Sequence, residues 1–298
     1  MSDIAILGIF VADISFSANK LPTSGETILG DSYNIGPGGK GCNQAIAISR
    51  LGGKVNFISK LGNDDYGKLA INKLKKDNID TSNIIISENH KTGVAGIHVD
   101  KNTGKNAIIV IRGAPASLTI KEIDTNIITR SKIFLTQLEV PIEVTLHCLK
   151  EAKKKGLINI LNPAPACKLT DDFFELVDYF TPNETEAEFY TGIKIKNTDD
   201  AKASAKKLLS LGIKKVIITL GEKGLYYSDG INEVSIKATP DKAIDTTGAG
   251  DAFNGGLAFG LSQEKPIREC LELANKVAGM STTKLGAGDG MPFYKDLN

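Results

Sequence analysis

Short, nearly continuous apolar runs alternate along the chain with longer stretches whose apolar residues recur every three to four positions. The runs 4–11, 55–59, 132–137, 157–161, 179–181 and 215–220 are rich in Ile, Val, Leu and Phe. Few polar residues interrupt them, the pattern of parallel strands covered on both faces. Between them the helical period predicts helices over 43–51, 66–78, 142–155, 184–191, 201–211, 252–261 and 266–284. Gly52-Gly53, Gly156 and Gly212 sit at the ends of three of these, where glycine takes the left-handed residue of a helix C-terminus at least cost. Strand followed by helix, repeated, predicts an α/β fold: a doubly wound, mostly parallel sheet flanked by helices, with right-handed crossovers.

Two regions break that rhythm. Residues 16–36 read as two short strands around the turn-rich Leu21-Pro22-Thr23-Ser24-Gly25. Residues 92–113 read as a hairpin, with strands at 94–99 and 107–111 and a turn at 100–104. Neither has helical partners, so segments of about 14–37 and 92–113 are expected to pair as a small β-sheet outside the main layer of a single domain, 1–298. Bare strand edges and apolar faces need cover. Such a layer either closes over a site or pairs with a second copy, and both are compatible with a homodimer.

Composition narrows the function. The chain has 298 residues, 41% hydrophobic and 24% charged, as in an ordinary globular protein with a large core. With 36 Lys and Arg against 35 Asp and Glu, the formal charge is +1, and no electrostatic footprint for nucleic acid or an anionic membrane is present. Cys42, Cys148, Cys167 and Cys270 are far apart, which fits a reducing cytoplasm better than a disulfide framework. The early apolar run follows Asp3 and is too short to span a bilayer.

The chemistry concentrates in Ile244-Asp245-Thr246-Thr247-Gly248-Ala249-Gly250-Asp251-Ala252-Phe253-Asn254-Gly255-Gly256. A Gly-rich approach to a helix N-terminus points backbone N–H groups outward, and the helix dipole favours an anion there. A carboxylate beside such a cradle suits a base that removes a proton from a hydroxyl attacking a phosphoryl group. The plainer alternative makes Asp251 an acid that only complements the helix dipole. Upstream, Gly38-Gly39-Lys40-Gly41-Cys42-Asn43-Gln44 brings backbone amides, an ammonium and an amide side chain to another helix start, a set able to bond vicinal hydroxyls. Asp13, after the first apolar run, lies where ligands of open α/β sheets bind. Asn183 and Glu186 are spaced to share a helix face, and equally to form a capping box. No G-x-x-x-x-G-K-[ST] segment exists, and the first strand is not followed by G-x-G-x-x-G, so neither a P-loop nor a dinucleotide fold is indicated. His90, His98 and His147 have no metal-ligand spacing, and Lys153-Lys154-Lys155 reads as a solvated run.

The two Gly-rich segments resemble the two signatures of the ribokinase-type (PfkB) carbohydrate kinases. Asn162-Pro163-Ala164-Pro165-Ala166, Thr181-Pro182-Asn183-Glu184-Thr185-Glu186 and Ile218-Thr219-Leu220-Gly221-Glu222-Lys223-Gly224 are similar to stretches of the same family, in the same order. The resemblance covers essentially the whole chain. It implies ATP-dependent transfer of phosphate to a sugar, D-ribose first, at its 5-hydroxyl, with Asp251 as base. It implies that Asp13, Gly39, Lys40, Asn43 and Glu139 hold the sugar. Asn183, Thr219, Gly221, Gly224, Gly248, Ala249, Gly250 and Asn275 would hold ATP, with amides from Thr247 to Gly250 receiving the phosphoryl charge. Glu186 would organise Mg²⁺ through water. Asp245, Thr247, Ser281, Lys284, Gly286 and Gly290 would take a monovalent cation, K⁺ in the first instance.

Val11 stands where many members carry Asn, and Gly290 where Ser is common. The first removes one hydrogen bond to the sugar. Kinases of the same family acting on deoxyribose, fructose, ketodeoxysugars or nucleosides therefore remain alternatives, as does a sugar sensor without catalysis.

Overall fold

The computed structural model describes residues 3–239 and 242–297. Its first third runs β1 (Ile4–Leu7), β2 (Val11–Ala18), β3 (Ser32–Gly38), α1 (Lys40–Arg50), β4 (Val55–Gly62), α2 (Asp65–Lys76) and β5 (Ile84–Ser87). Then follow β6 (Gly93–Asp100), β7 (Asn106–Ile111), α3 (Thr125–Thr129), β8 (Ile133–Thr136), α4 (Ile142–Lys154), β9 (Ile158–Leu161), α5 (Asp171–Phe174) and β10 (Tyr179–Phe180). The last third contains α6 (Glu184–Thr191), α7 (Thr198–Leu209), β11 (Lys215–Thr219), β12 (Leu225–Ser228), β13 (Glu233–Ile236), α8 (Ala249–Ser262) and α9 (Ile267–Ser281).

Nine strands form the main sheet in the order β13-β12-β11-β10-β9-β8-β1-β4-β5. All neighbours from β5 to β11 are parallel, and β12 and β13 close one edge as an antiparallel hairpin. The continuous apolar runs have their reason here. In β1, Ile4 and Ile6 enter one apolar cluster with α1, α2, α8 and α9, while Ala5 and Leu7 enter the other with α4, α6 and α7. A strand with helices on both faces has no polar side to show.

A second sheet, in the order β3-β2-β6-β7, stands apart from the first. Its outer pairs are antiparallel and its central pair, β2 with β6, is parallel. The expected hairpin is β6–β7 with its bounds nearly unchanged.

The expected single strand over 4–11 is two. Pairing with β4 and β8 stops at Leu7, and the chain resumes at Val11 in the second sheet. Residues on both sides of the break are buried, so hydropathy carries no mark of it. The strands expected within 16–36 likewise begin earlier and end later, as β2 and β3. Helices α1 and α8 begin three residues sooner than their apolar periods suggest, because small and polar residues form their first turns. α9 ends at Ser281, with turns taking the chain through 284.

Helix α8 is buried nearly all round and packs between α1 and α9. A methyl at Gly255 would lie 2.5 Å from Ala47 Cβ on α1. The absence of a side chain lets the two helices touch backbone to backbone. That contact fixes the first turn of α1 relative to the first turn of α8. No described helix is long and apolar enough to cross a membrane.

Candidate active site

The chain leaves β1 for β4 and β5 on one side, while β8 lies on the other, so strand order reverses between β1 and β8. The crevice beyond the carboxyl ends of strands at such a reversal is where ligands of open α/β sheets bind. Asp13 in β2 and Glu139 after β8 flank it, and α1 and α8 open their N-termini toward the same place. Asp13 lies over Gly38, where a Cβ would come within 2.1 Å of its Oδ1.

Asp251 sits in the first turn of α8 and is 5% exposed. Its Oδ2 accepts from Asn43 Nδ2 at 2.9 Å and its Oδ1 from Gln44 Nε2 at 3.0 Å. Asn43 Oδ1 is buried without a hydrogen-bond partner, a lone acceptor beside the carboxylate that a hydroxyl could satisfy. The Lys40 N–H donates to Glu139 Oε2 at 2.8 Å.

Three carboxyl groups, Glu139, Glu186 and Asp251, share the field of one ammonium, Lys40, and a fourth, Asp13, lies in the field of Asp251. Burial, with the negative charges of Asp251 and Asp289 added, pushes Asp13 up to about 7. Burial raises Glu139 to about 7 as well, against the pull of Lys40. Asp251 is raised by burial and held back by Lys40, Asn43 and Gln44. Burial alone would lower the Lys40 ammonium, but Asp251, Glu139 and Glu186 outweigh it and raise it. Excess acid in a half-closed crevice favours hydroxyl donors and cations as guests.

The Gly-rich segment supplies fewer free amides than the sequence suggests. Thr247 N–H donates to Asp245 Oδ1 at 2.9 Å, and Ala249 N–H closes a turn on Thr246 O at 3.2 Å. Both are consumed in building the loop. The N–H groups of Gly248, Gly250 and Asp251 have no acceptor among the described residues. The open donors at the tip of α8 therefore run from Gly248 to Asp251, with gaps. Nothing would meet a methyl at Gly250 within 4 Å, so there is room for a group against the main chain. Asp245 ties this segment to the loop after α9, its Oδ2 accepting from Gly286 N–H at 2.9 Å. The carbonyl oxygens of Ser281, Lys284 and Gly286 crowd the place that a Cβ on residue 290 would take, which the glycine leaves open.

Asn183 and Glu186 do form the reciprocal capping box. Asn183 Oδ1 accepts from Glu186 N–H at 2.8 Å, and Glu186 Oε2 from Asn183 N–H at 2.9 Å. Glu186 nevertheless faces Lys40 and Asp251, and burial raises its carboxyl. Thr219 at the end of β11 bridges to Asn183. Gly221 and Gly224 follow with positive φ; Gly224 is explained by packing, since a Cβ there would overlap Ile236 O. Asn275 on α9 donates to Lys237 O, beyond β13, at 2.9 Å.

One group went unread in the sequence. Gln44, Gln137, Asn162, Thr181 and Asn254 form a buried polar network beneath Asp251. Its trace in the sequence is a polar residue directly after an apolar strand, as in Thr136-Gln137, Asn162 and Thr181.

The sequence matches the profile of the pfkB family carbohydrate kinases over residues 1–293. The ribokinase of Haemophilus influenzae is 39% identical over 292 residues, covering 97% of this chain and 95% of that one. The deoxyribokinase of Salmonella typhi is 34% identical over 299 residues, covering 99% and 97%. The structure of Arabidopsis thaliana ribokinase complexed with ribose and ATP superposes with a TM-score of 0.93 at 29% identity, covering 99% and 97%. Signatures, topology and relatives agree: the chain belongs to the pfkB family of carbohydrate kinases.

Proposed function

We propose that this kinase transfers the γ-phosphoryl group of ATP to the 5-hydroxyl of D-ribose. The observation that carries the reading is Asp251, a buried carboxylate in the first turn of α8 between open N–H groups and Lys40, Asn43 and Asp13. Ribokinases of 35% identity or more, matched over nearly their full length, support ribose as the acceptor.

Asp13 accepts from two sugar hydroxyls, and Lys40, Asn43 and the Gly39 main chain fix the ring, with Glu139 holding the Lys40 backbone. Asp251 takes the 5-hydroxyl proton as that oxygen bonds to phosphorus and the bond from phosphorus to the ADP oxygen breaks. The amides at the tip of α8 receive the charge on the moving phosphoryl oxygens. Asn183, Thr219, Gly221, Gly224, Gly248, Ala249 and Gly250 line the path of the nucleotide, with Asn275 near its base. Bound Mg²⁺ neutralises the nucleotide phosphates. Glu186 fits that ion through water, since its Oε1 is unpaired and Mg²⁺ takes few carboxylates. Asp245, Thr247 and the carbonyls of Ser281, Lys284 and Gly286 around Gly290 suit a monovalent cation such as K⁺.

The small sheet is the cover of the sugar. Cross-strand register puts Ala95, Ile97, Ile108 and Val110 on the face of Asp13. The opposite face carries Phe16, Tyr33, Ile109 and Ile111, all exposed, and a second copy of the chain is the partner it suits. The cysteines are all free and three are buried, which suits the cytoplasm.

A second reading, 2-deoxyribose as acceptor, is favoured by Val11, an apolar residue 3% exposed at the head of β2, and by the deoxyribokinase relative. The test is ADP release with ribose, 2-deoxyribose, fructose, a ketodeoxysugar and nucleosides, with and without K⁺. Ribose is expected to give the highest kcat/KM. A preference for 2-deoxyribose moves the assignment to the second reading, and sugar binding without ADP release removes the kinase.

A further inference from the structure

The network beneath Asp251 closes into a ring. Gln44 Nε2 donates both to Asp251 Oδ1, at 3.0 Å, and to Asn162 Oδ1, at 3.2 Å. Asn162 Nδ2 donates to Thr181 O at 3.3 Å, and Thr181 Oγ1 to Asn254 Oδ1 at 2.7 Å. Asn254 Nδ2 then donates to Gly250 O at 2.8 Å, one residue from the start of the circuit. Gln137 Nε2 enters from outside the ring and donates to Gln44 Oε1 at 2.6 Å. Gln44, Asn254 and Gln137 are at most 1% exposed. Apolar side chains would fill this volume without the cost of desolvating five polar groups.

The directions of the Gln44 bonds follow from the carboxylate, and those of Asn162 and Asn254 agree with the main-chain carbonyls of Thr181 and Gly250, which only accept. An ionised Asp251 only accepts, so Gln44 must turn its NH₂ toward it. The Gln44 carbonyl then points the other way and needs a donor, which Gln137 supplies. A flipped Gln44 would set its oxygen against those of Asp251 and Asn162, and its NH₂ against that of Gln137.

We propose that Gln44 is the positioning residue of the base: its amide, locked by Gln137 and Asn162, fixes the plane and the charge state of the Asp251 carboxylate. Gln44 does not touch the sugar or the nucleotide in this role. It acts only through Asp251, and the inference rests on the reading of Asp251 as base.

The charged and titratable groups that face Asp251 are Lys40 and Cys42 on α1, Asp13 on β2, Glu139 after β8 and Glu186 on α6. None changes in Gln44→Met, which keeps length and volume and removes the amide. Loss of a donor to the ionised form raises the pKa of an acid. The acid limb of the kcat–pH profile is therefore expected to move up by about one unit. Turnover at pH 8 should fall roughly 10- to 100-fold, with the dissociation constants of sugar and ATP within about threefold of wild type. Gln137→Met removes the donor that holds the Gln44 carbonyl while leaving Asp251 and Asn162 in place, and is expected to move the limb in the same direction by less.

An unmoved limb in folded Gln44→Met overturns the inference, and so does a loss confined to KM. If Gln44→Met does not fold, Gln137→Met decides alone by the same limb, supporting if it moves up and overturning if it stays. Asp251→Asn separates the two ideas. Normal turnover in that variant removes the base itself, whereas an inactive Asp251→Asn with an unmoved limb in Gln44→Met removes only Gln44.

Discussion

Asn43 and Asp251 lie 208 residues apart in the chain and are joined by a 2.9 Å hydrogen bond between the first turns of α1 and α8. The two Gly-rich segments are thus halves of one site, brought together by the backbone contact of their helices at Gly255 and Ala47. With the proposed base and the amide proposed to face the sugar already in contact, the site is preorganised before any substrate arrives.

Removing the charge of Asp251 tests the role directly. Asp251→Asn keeps the size of the side chain and is expected to fold and to bind sugar and ATP. Its turnover should drop roughly 10²- to 10⁴-fold, the usual share of a positioned base. Isothermal titration for binding and coupled ADP release for turnover give the comparison, and near-normal turnover counts against the base.

Asp13 makes the ligand-free enzyme pH-sensitive. Its carboxyl titrates near 7 when folded and near 3.8 when unfolded, so the folded protein holds an extra proton between those values. The stability associated with it is full below about 4 and is lost as pH rises through about 7. Three units correspond to roughly 4 kcal/mol as an upper bound. Asp13→Asn should therefore gain melting temperature relative to wild type from pH 5 to pH 8. A constant difference across that range contradicts the shift. Sugar affinity in the wild type should rise over the same window, as Asp13 becomes the ionised acceptor.

Glu186 caps α6, and substitutions can part that role from the one proposed for it toward Mg²⁺. Gln at 186 still accepts from Asn183 N–H and keeps the cap, so stability should change little, while the Mg²⁺ concentration for half-maximal rate rises several-fold. Ala at 186 loses the cap as well, at about 1 kcal/mol. Chemical denaturation and Mg²⁺ titration of both variants read the two effects. Equal Mg²⁺ dependence in wild type and Glu186→Gln leaves only the cap.

The apolar outer face of the small sheet predicts assembly. Ile109, on the edge strand β7, is 70% exposed there. The wild type is expected to be a dimer by sedimentation or light scattering, and Ile109→Glu a monomer. A dimer that survives the substitution places the interface elsewhere.

Much of the body was legible because helices on both faces demand strands with no polar side, and six such runs stand out in the sequence. The break between β1 and β2 was not, since Ile4 through Ala12 are all buried and the chain changes sheets without changing character. Nor were β5, β12 and β13, which lie at the two ends of the main sheet. At the site, Asp251 and Lys40 were marked by local glycine patterns and Asp13 and Glu186 by position alone, while Glu139 and the roles of all three acids came through family resemblance. A single acid at a strand end or in a helix cap looks the same whether or not three others converge on it. The ring under Asp251 left still less trace. Its members come from five separate segments, and only the fold shows that each amide has just one orientation open to it.

Asp13 belongs to β2, so the group proposed to hold the sugar is mounted on the same sheet proposed to cover it. Any tilt of that layer carries the carboxyl away from Lys40 and Asn43, which stay with the body. Unsealing the chamber and loosening the grip on the product are then a single displacement, and release needs no trigger of its own.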